Sequence, residues 1–416
     1  MSHFIKIYSL LIGSALLMFG GGLQGLVLSV RGAEEHFSLL ALGLIGTGWS
    51  VGFVAGSVTV PMMVKRVGHI RAYSVMAAIG TITILFNLLI INDVAWILLR
   101  ALSGYCFAGA AMIVESWLNE VTDNKSRGTI FSLYSAINMA ASTVGQLAMS
   151  VTGVVGYMPF VVGAISFICA LLPTALTTKP QPRPLQSAKL DLKLLYNTSP
   201  VAAIAAFSVG MANGTFGTLA PVYGYSQHMD AAGISYLMCL VVICGAISQI
   251  PAGRVSDRID RRKVIIALAA VAAVVGILLV LFDPQGNWLL YLLFGIYGLC
   301  AYPLYGVAVA HANDSAKEGD FAKISSAMLL IMGVGLAIGP AIAPLLMNTI
   351  KPVAMFIVTA TFHGALAIST FARLRVRPTR RTLRSRFRPM WSEKGQTTEA
   401  VALDPRSEDA NAQEVL

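Results

Sequence analysis

The chain contains twelve largely apolar runs, each about as long as the roughly 20 residues that a helix needs to cross a lipid bilayer. With 56% hydrophobic residues and a mean hydropathy of +0.72, it has too few polar residues to cover a soluble core. Strands of membrane barrels are about half as long and alternate in polarity. We therefore expect an all-α membrane protein with twelve transmembrane helices, at 7–30, 39–64, 72–91, 95–117, 129–151, 155–176, 200–222, 233–252, 264–282, 288–310, 324–347 and 352–372.

A proline-containing connection, 177–199, separates the first six runs from the last six. Its prolines and polar residues favour a linker rather than a further span. The segment after the last run begins with many arginines and ends with acids and few apolar residues, which is typical of disorder. The predicted organisation is an N-terminal six-helix bundle at 1–176, a cytoplasmic linker at 177–199, a C-terminal six-helix bundle at 200–372 and a disordered cytoplasmic tail at 373–416.

The lysines and arginines fall almost entirely on one side of this topology. All but Arg31, Arg100 and Lys351 lie in the N-terminal segment, in alternate connections or in the tail. Because cytoplasmic loops carry the excess of Lys and Arg, both termini are predicted to be cytoplasmic, in a bacterial inner membrane. The net charge of +10 thus comes from loops and tail rather than from a folded basic face, which argues against nucleic-acid binding.

The densest charge lies in the turn 253–263, which holds five basic residues and two aspartates between two apolar runs. Several features of the two halves recur at an offset of about 190 residues, among them Gln24-Gly25 with Asn213-Gly214, and Arg100 with Tyr291. Such near-constant offsets indicate a duplicated six-helix unit.

Twelve helices in two parallel repeats, a long central loop and a charged turn between the second and third helices of a repeat together resemble the major facilitator superfamily. That family's turn is G-x-x-x-D-R-x-G-R-[KR]. Five residues fit it, with Asp260 in place of the second glycine: Gly253, Asp257, Arg258, Arg261 and Arg262. The resemblance, over residues 7 to 372, implies a secondary transporter whose two halves rock around a central site. It also implies that the turn latches one state.

The first-half copy of this turn departs from the motif, because Pro61 stands at the Gly position and Lys65 at the Asp position. A latch is therefore expected to depend chiefly on the second half. Arg100 and Gly104 resemble the family's R-x-x-x-G pattern, which implies a role in proton coupling. Since Arg100 lies near the outer end of its helix, an interfacial arginine that reaches water is an equally good interpretation.

By the same resemblance, substrate binds near the midplane on helices 1, 4, 7 and 10, with contributions from 2, 5, 8 and 11. Polar side chains at that depth are costly unless they are paired or face water. The candidate substrate-binding residues are five amides and four aromatic residues: Gln24, Asn138, Gln146, Asn213, Gln249, Phe216, Tyr297, Tyr302 and Tyr305. The amides could instead bond helices together. Pro303 is expected to interrupt helix 10.

Glu115 is the only carboxylate within an apolar run, close to the cytoplasmic end of helix 4. It could carry protons if burial raised its pKa, or it could pair with Arg66 or Arg71. Asp314, which aligns with Asp123 of the first half at an offset of 191 residues, is predicted to pair with Arg258 or Arg262. The coupling or gating candidates are therefore Arg100, Glu115, Gly253, Asp257, Arg258, Arg262 and Asp314.

No cysteine or histidine spacing indicates a metal site, and no phosphate-binding G-x-x-x-x-G-K-[ST] loop is present. We expect no cofactor, no enzymatic activity and a monomer whose partners are a small solute, the bilayer and protons. A cavity of amides and aromatic rings without midplane charge favours uptake or symport of a small neutral or weakly charged solute, such as a vitamin-like compound or riboflavin. The alternatives are proton-coupled drug or metabolite efflux, an intramembrane enzyme and a non-transporting sensor.

Overall fold

The computed structural model describes residues 2–122, 127–175, 191–316 and 320–376, together with Phe387 and Thr397, and these ranges contain helices and no strand. Fourteen α-helices and one 3₁₀-helix, Pro352–Ala354, occur in them. The α-helices are α1 Ser2–Glu34, α2 Leu39–Val67, α3 His69–Leu89, α4 Asp93–Val121, α5 Arg127–Thr152, α6 Met158–Ala175, α7 Leu192–Thr198, α8 Pro200–Ser226, α9 Ala231–Arg258, α10 Arg261–Phe282, α11 Trp288–Ala301, α12 Pro303–Asn313, α13 Phe321–Thr349 and α14 Met355–Val376.

Each of the twelve predicted spans coincides with a helix or, for 288–310, with the pair α11 and α12, so the all-α fold is confirmed. Within the described residues, ten helices are long and apolar enough to cross a membrane, and α6 is a shorter apolar helix. Helix α5 is long enough but more polar, because it carries Ser132, Ser135, Asn138, Ser142 and Gln146. Most of this polar set turns towards neighbouring helices rather than lipid.

Helix starts follow from side-chain caps. Ser38, Asn92, Asp230 and Asp260 each accept a hydrogen bond from a backbone N–H in the first turn of the following helix. Such caps satisfy donors that have no partner within the helix. The turn between α2 and α3 consists of Gly68 alone, whose φ of 85° is a conformation that favours glycine.

Two predicted irregularities have specific outcomes. The run 288–310 is interrupted at Tyr302, because Pro303 has no N–H to continue α11, and this prediction is confirmed. The predicted linker contains the short helix α7, which Asp191 caps. Residues 177–190 of that linker lie outside the described residues, as do residues 377–416 of the tail apart from Phe387 and Thr397. Residues 373–376, which were predicted to belong to a disordered tail, instead continue α14.

Helices α1 to α6 pack together as one bundle and α8 to α14 as a second. The main contacts between the bundles join four pairs of helices, α2 with α13, α5 with α9, α1 with α8 and α2 with α8. On α2, Thr47 donates to the carbonyl of Ala337 at 2.7 Å and Ser50 to that of Leu336 at 3.2 Å. Gly43 is so close to Pro340 that a Cβ would lie 2.0 Å from its carbonyl oxygen. This seam, which we call the outer seam, occupies the predicted outer half of α2.

Candidate functional site

A cavity of about 90 Å³ lies beside the outer seam, between the two bundles. Its walls come from α1, α2, α4 and α5 of the first bundle and α8, α9 and α13 of the second. The lining residues are Gly22, Gly25, Leu26, Ser29, Ile45, Gly46, Trp49, Ser50, Arg100, Gln146, Asn213, Gly214, Gly217, Thr218, Met238 and Leu336. Contributions from both bundles are what a site that changes access by bundle rocking requires.

Three of the candidate residues predicted from sequence, Arg100, Gln146 and Asn213, line this cavity. Gln24 lies directly behind them, because its Oε1 accepts hydrogen bonds from Arg100 Nη1 and from Ser103 Oγ, both at 2.9 Å. The matched pair Gln24 and Asn213 therefore lies at or next to the cavity. Whether either residue contacts a solute stays a prediction.

The expectation of a cavity without charge is wrong. Arg100 lies two helical turns from the predicted outer end of α4, as its sequence position suggested. Its side chain nevertheless faces inward, and only 8% of the residue is exposed. The guanidinium carbon lies 5.8 Å from the centre of the Trp49 ring, another cavity residue. Ser103, which the sequence interpretation missed, lies one turn from Arg100 and so shares its helix face.

Glycines form much of the cavity wall. At Gly217 a Cβ would meet no atom within 4 Å, so this position faces open space. At Gly22 a Cβ would lie 2.3 Å from the carbonyl oxygen of Ser142, and at Gly46 it would lie 2.2 Å from the Thr218 hydroxyl oxygen. Gly22 and Gly46 therefore bring helices together, whereas Gly217 leaves room for a ligand.

Two of the predicted amides lie elsewhere. Asn138 accepts a hydrogen bond from Ser14 at 2.7 Å, which joins α5 to α1 inside the first bundle. Gln249, on α9, is buried, and its Oε1 has no hydrogen-bond partner among the described residues. Neither lines the cavity in this conformation.

The predicted aromatic residues pack within the second bundle rather than around the cavity. The Phe216 and Tyr297 rings stack with their centres 4.5 Å apart, and Phe216 also contacts Phe294. Tyr302 lies against Gly245, and Tyr305 is buried in the packing core. The aromatic cavity residue is instead Trp49, which stacks on Phe53.

Glu115 is buried inside the first bundle and accepts a 2.7 Å hydrogen bond from the Tyr134 hydroxyl. The Tyr134 hydroxyl also contacts Ser14 and Asn138. The alternative pairing with Arg66 or Arg71 is not formed, since both arginines are exposed and make no ion pair within the described part of the chain. Glu115 also accepts a hydrogen bond from the tail residue Thr397.

The charged turn at 253–263 is organised by Arg261. Its Nη1 donates to Asp257 at 2.8 Å and its Nε to Asp314 at 2.8 Å, so it joins the ends of α9, α10 and α12. Arg262 instead folds back on Asp260, at 2.8 Å. The prediction that Asp314 pairs with Arg258 or Arg262 is wrong, because the first turn of α10 directs Arg261 towards α12.

The tail reaches this turn. The backbone N–H of Phe387 donates to the two carboxylate oxygens of Asp257, at 3.0 and 3.2 Å. The Phe387 ring covers Gly253, where a Cβ would lie 2.0 Å from the ring. Gly253 therefore permits this contact, and the tail meets the second bundle at the same aspartate that Arg261 binds.

No group of three or more His, Cys, Asp or Glu side chains that could hold a metal ion occurs in the described ranges. The cysteines, including Cys239 at the junction of α5 and α9, are free thiols. The Cys239 thiol donates to the carbonyl of Thr143 at 3.5 Å, close to the cavity residue Gln146. The Cys239 thiol thus contributes to the contact between α9 and α5.

Comparisons with known proteins agree with this architecture. Proteins named uncharacterized MFS-type transporter YcaD, from Shigella flexneri and Escherichia coli O139:H28, are 24% identical over 355 residues, 85% of this chain and 91% of theirs. Among solved structures, a mutant of the nucleoside transporter NupG superposes with a TM-score of 0.76 at 16% identity, over 88% of this chain and 99% of NupG. A bacterial homologue of the human lysosomal transporter Spinster, crystallised inward-facing and unoccupied, gives 0.67 at 14% identity, over 98% of both chains.

The sequence profile of the Major Facilitator Superfamily matches residues 10–230 and again 202–406, so that the two matches together cover nearly the whole chain. This double match agrees with the two bundles. The chain is a multi-pass membrane protein and belongs to the Major Facilitator Superfamily.

Proposed function

We propose that this protein is a secondary or facilitated transporter of a small polar solute in a bacterial inner membrane, and that it works by alternating access in the direction of uptake. The observation that carries the proposal is the cavity between the bundles, which both bundles line with polar groups. The outer seam of Gly43, Thr47 and Ser50 against α13 would close one side of this cavity. Opening of that seam would expose the same groups to the other side.

The polar groups in the cavity favour a solute that makes hydrogen bonds. Gln146 and Asn213 can both donate and accept. The aromatic rings that favoured riboflavin pack away from the cavity, so the groups in the cavity wall are the better guide to the solute. Trp49 offers one aromatic face to it.

Cysteine labelling tests alternating access directly. Gly217→Cys, in a variant whose five native cysteines are replaced by alanine or serine, places a thiol in the open space of the cavity. A membrane-impermeant thiol reagent should reach it from both sides, in right-side-out and in inverted vesicles. Labelling from one side only would contradict alternating access.

Gly163→Cys is the matched control. Gly163 is also a helix glycine, but it lies inside the first bundle with Ile84 at 3.7 Å from its Cβ position. We expect this thiol to stay unlabelled from either side. An uptake screen of cells that express the chain, against cells with the empty vector, then identifies the solute and the direction of transport.

A second candidate is proton-coupled efflux, and its proton coupling, though not its direction, is supported by the buried Glu115, whose carboxylate accepts a hydrogen bond from Tyr134. Buried carboxylates in membrane helices are common proton carriers. If Glu115 couples protons, Glu115→Gln should abolish the response of transport to an imposed pH gradient while solute exchange continues. An unchanged response in this variant would remove Glu115 from the coupling step.

A further inference from the structure

Arg100 is a buried cation in the wall of the cavity, and its charge requires compensation. A charged side chain in the interior of a membrane protein is expensive, and most such residues pair with an opposite charge or face water. Arg100 is 8% exposed and lies about 10 Å below the start of α4, taking 1.5 Å per helical residue. Its side chain ends among the neighbouring helices, on Gln24, rather than at the surface.

The neighbours of Arg100 do not supply a negative charge. It donates a hydrogen bond to Gln24 Oε1, a neutral amide oxygen that also accepts a hydrogen bond from Ser103. Its guanidinium carbon lies 5.8 Å from the centre of the Trp49 ring. In the described part of the chain Arg100 forms no ion pair. A guanidinium has five N–H donors, so most of them are left without a protein acceptor.

The free side of the guanidinium faces the cavity. A Cβ at Gly25 would lie 3.3 Å from Arg100 Nη2, and both residues line the cavity wall. The absence of a side chain at Gly25 therefore leaves Nη2 open to a ligand. The Gln24 amide holds the other nitrogen, Nη1, so the fork of donors is fixed before a ligand arrives.

One cation matches one negative charge. In a cavity this small a dianion would leave an uncompensated charge, which a low-dielectric interior disfavours. The planar fork of an arginine matches a carboxylate, which can accept two parallel hydrogen bonds. A neutral solute would instead leave the buried cation as it is.

We propose that the transported solute carries a single carboxylate group, and that this group binds the Arg100 guanidinium in the cavity. The inference rests on the proposed transport function and names the substrate class of the same site. The remainder of the solute lies against Trp49 and the amides Gln146 and Asn213. Arg100 is then the specificity-determining residue for the charge of the solute.

The test is a thermal-shift assay on the purified full chain in detergent. The probes are acetate, pyruvate, benzoate and nicotinate, each with its amide, together with methanesulfonate and methylphosphonate. At least one carboxylate should raise the melting temperature, and its amide should not. In Arg100→Gln the affinity for that carboxylate should fall by at least about tenfold, the equivalent of one hydrogen bond to a charged group.

Two further variants separate binding from folding. Arg100→Lys keeps the charge but loses the fork, so it should retain weakened binding, and Arg254→Gln removes an exposed arginine and should bind as the wild type does. Without ligand, Arg100→Gln should melt no lower than the wild type, because it removes an uncompensated buried charge. A purely structural arginine would give the opposite result.

Three outcomes would overturn the proposal. The melting temperature could be unchanged by every carboxylate, it could rise equally with carboxylates and with their amides, or it could rise as much with a carboxylate in Arg100→Gln as in the wild type. A larger shift with methanesulfonate or methylphosphonate would replace the carboxylate with another anion. The labelling experiment separates failure of the transport proposal from failure of the binding proposal. If carboxylates bind but Gly217→Cys is labelled from one side only, the binding site stands and alternating access fails.

Discussion

Replacement of Arg261 by glutamine is expected to destabilise the second bundle far more than replacement of its neighbour Arg258. The Arg261 side chain is 1% exposed and donates to Asp314, Asp257 and Ser256 at 2.8 to 2.9 Å. Removal of one partner from a buried pair costs roughly 3–5 kcal/mol. Because the Asp257 side chain is 30% exposed and partly hydrated, we count mainly the Asp314 contact and expect about 3 kcal/mol.

At roughly 2–4 °C per kcal/mol for a bundle of this size, Arg261→Gln should lower the melting temperature by about 6–12 °C. Intrinsic fluorescence during heating in detergent measures it. Arg258→Gln should leave it within about 1 °C, since Arg258 is exposed and makes no ion pair in the described ranges. Combining Arg261→Gln with Asp314→Asn should cost less than the sum of the single changes. Equal losses at Arg261 and Arg258, or strict additivity, would refute the bridge.

Two other predictions concern packing and conformational balance. Asn138→Ala should lower the free energy of unfolding by roughly 1 kcal/mol or less, because the hydrogen bond from Ser14 is lost, and it should not change the apparent affinity for the transported solute. A weaker affinity in an uptake assay would instead indicate that Asn138 belongs to the binding site. Gly43→Ala should wedge the outer seam open against Pro340 and speed labelling of Gly217→Cys from the predicted outer side. Gly52→Ala, whose Cβ would clash with Ala101 within the first bundle, should instead lower stability without faster labelling, and the same labelling rate in both variants would contradict this role of the seam.

The membrane spans could be predicted because a bilayer imposes both length and composition on a helix. A run of about 20 apolar residues has few alternatives, so each of the twelve predicted spans corresponds to helix in the structure. The interruption at Pro303 could be predicted for a similar reason, since proline lacks the backbone donor. The short helix α7 was missed, because seven residues beside several prolines carry little periodic signal.

The partners of charged residues could not be predicted from their spacing. Arg258, Arg261 and Arg262 all fit the turn motif, but only the cap of α10 decides which of them points at α12. Asp260 caps that helix and binds Arg262, which leaves Arg261 for Asp257 and Asp314. The turn motif specifies which residue types are present, whereas the residue at which α10 begins determines where each arginine side chain points.

The side of α4 that Arg100 faces could not be predicted for a related reason. A membrane helix is apolar all round, so hydrophobic periodicity does not separate its lipid-facing side from its inner side. The position of Arg100 near the outer end of the helix left two interpretations equally good, a coupling residue and an interfacial arginine, and the sequence did not distinguish them. Ser103, one turn away on the same face, was the local signal that the side chain faces inward.

The duplication gives Arg100 a counterpart that sharpens the substrate class. At the matching position of the second half stands Tyr291, a neutral residue whose hydroxyl lies 3.5 Å from the carbonyl oxygen of Gly233 within its own bundle. One half of the repeat thus places a cation at the cavity and the other does not. A solute with a negative group at one end and neutral hydrogen-bonding groups at the other matches this asymmetry, because the first bundle would hold the charge and Asn213 of the second would hold the neutral end. A solute with a charge at each end would leave one charge facing a bundle that has no cavity-lining partner for it in the described residues.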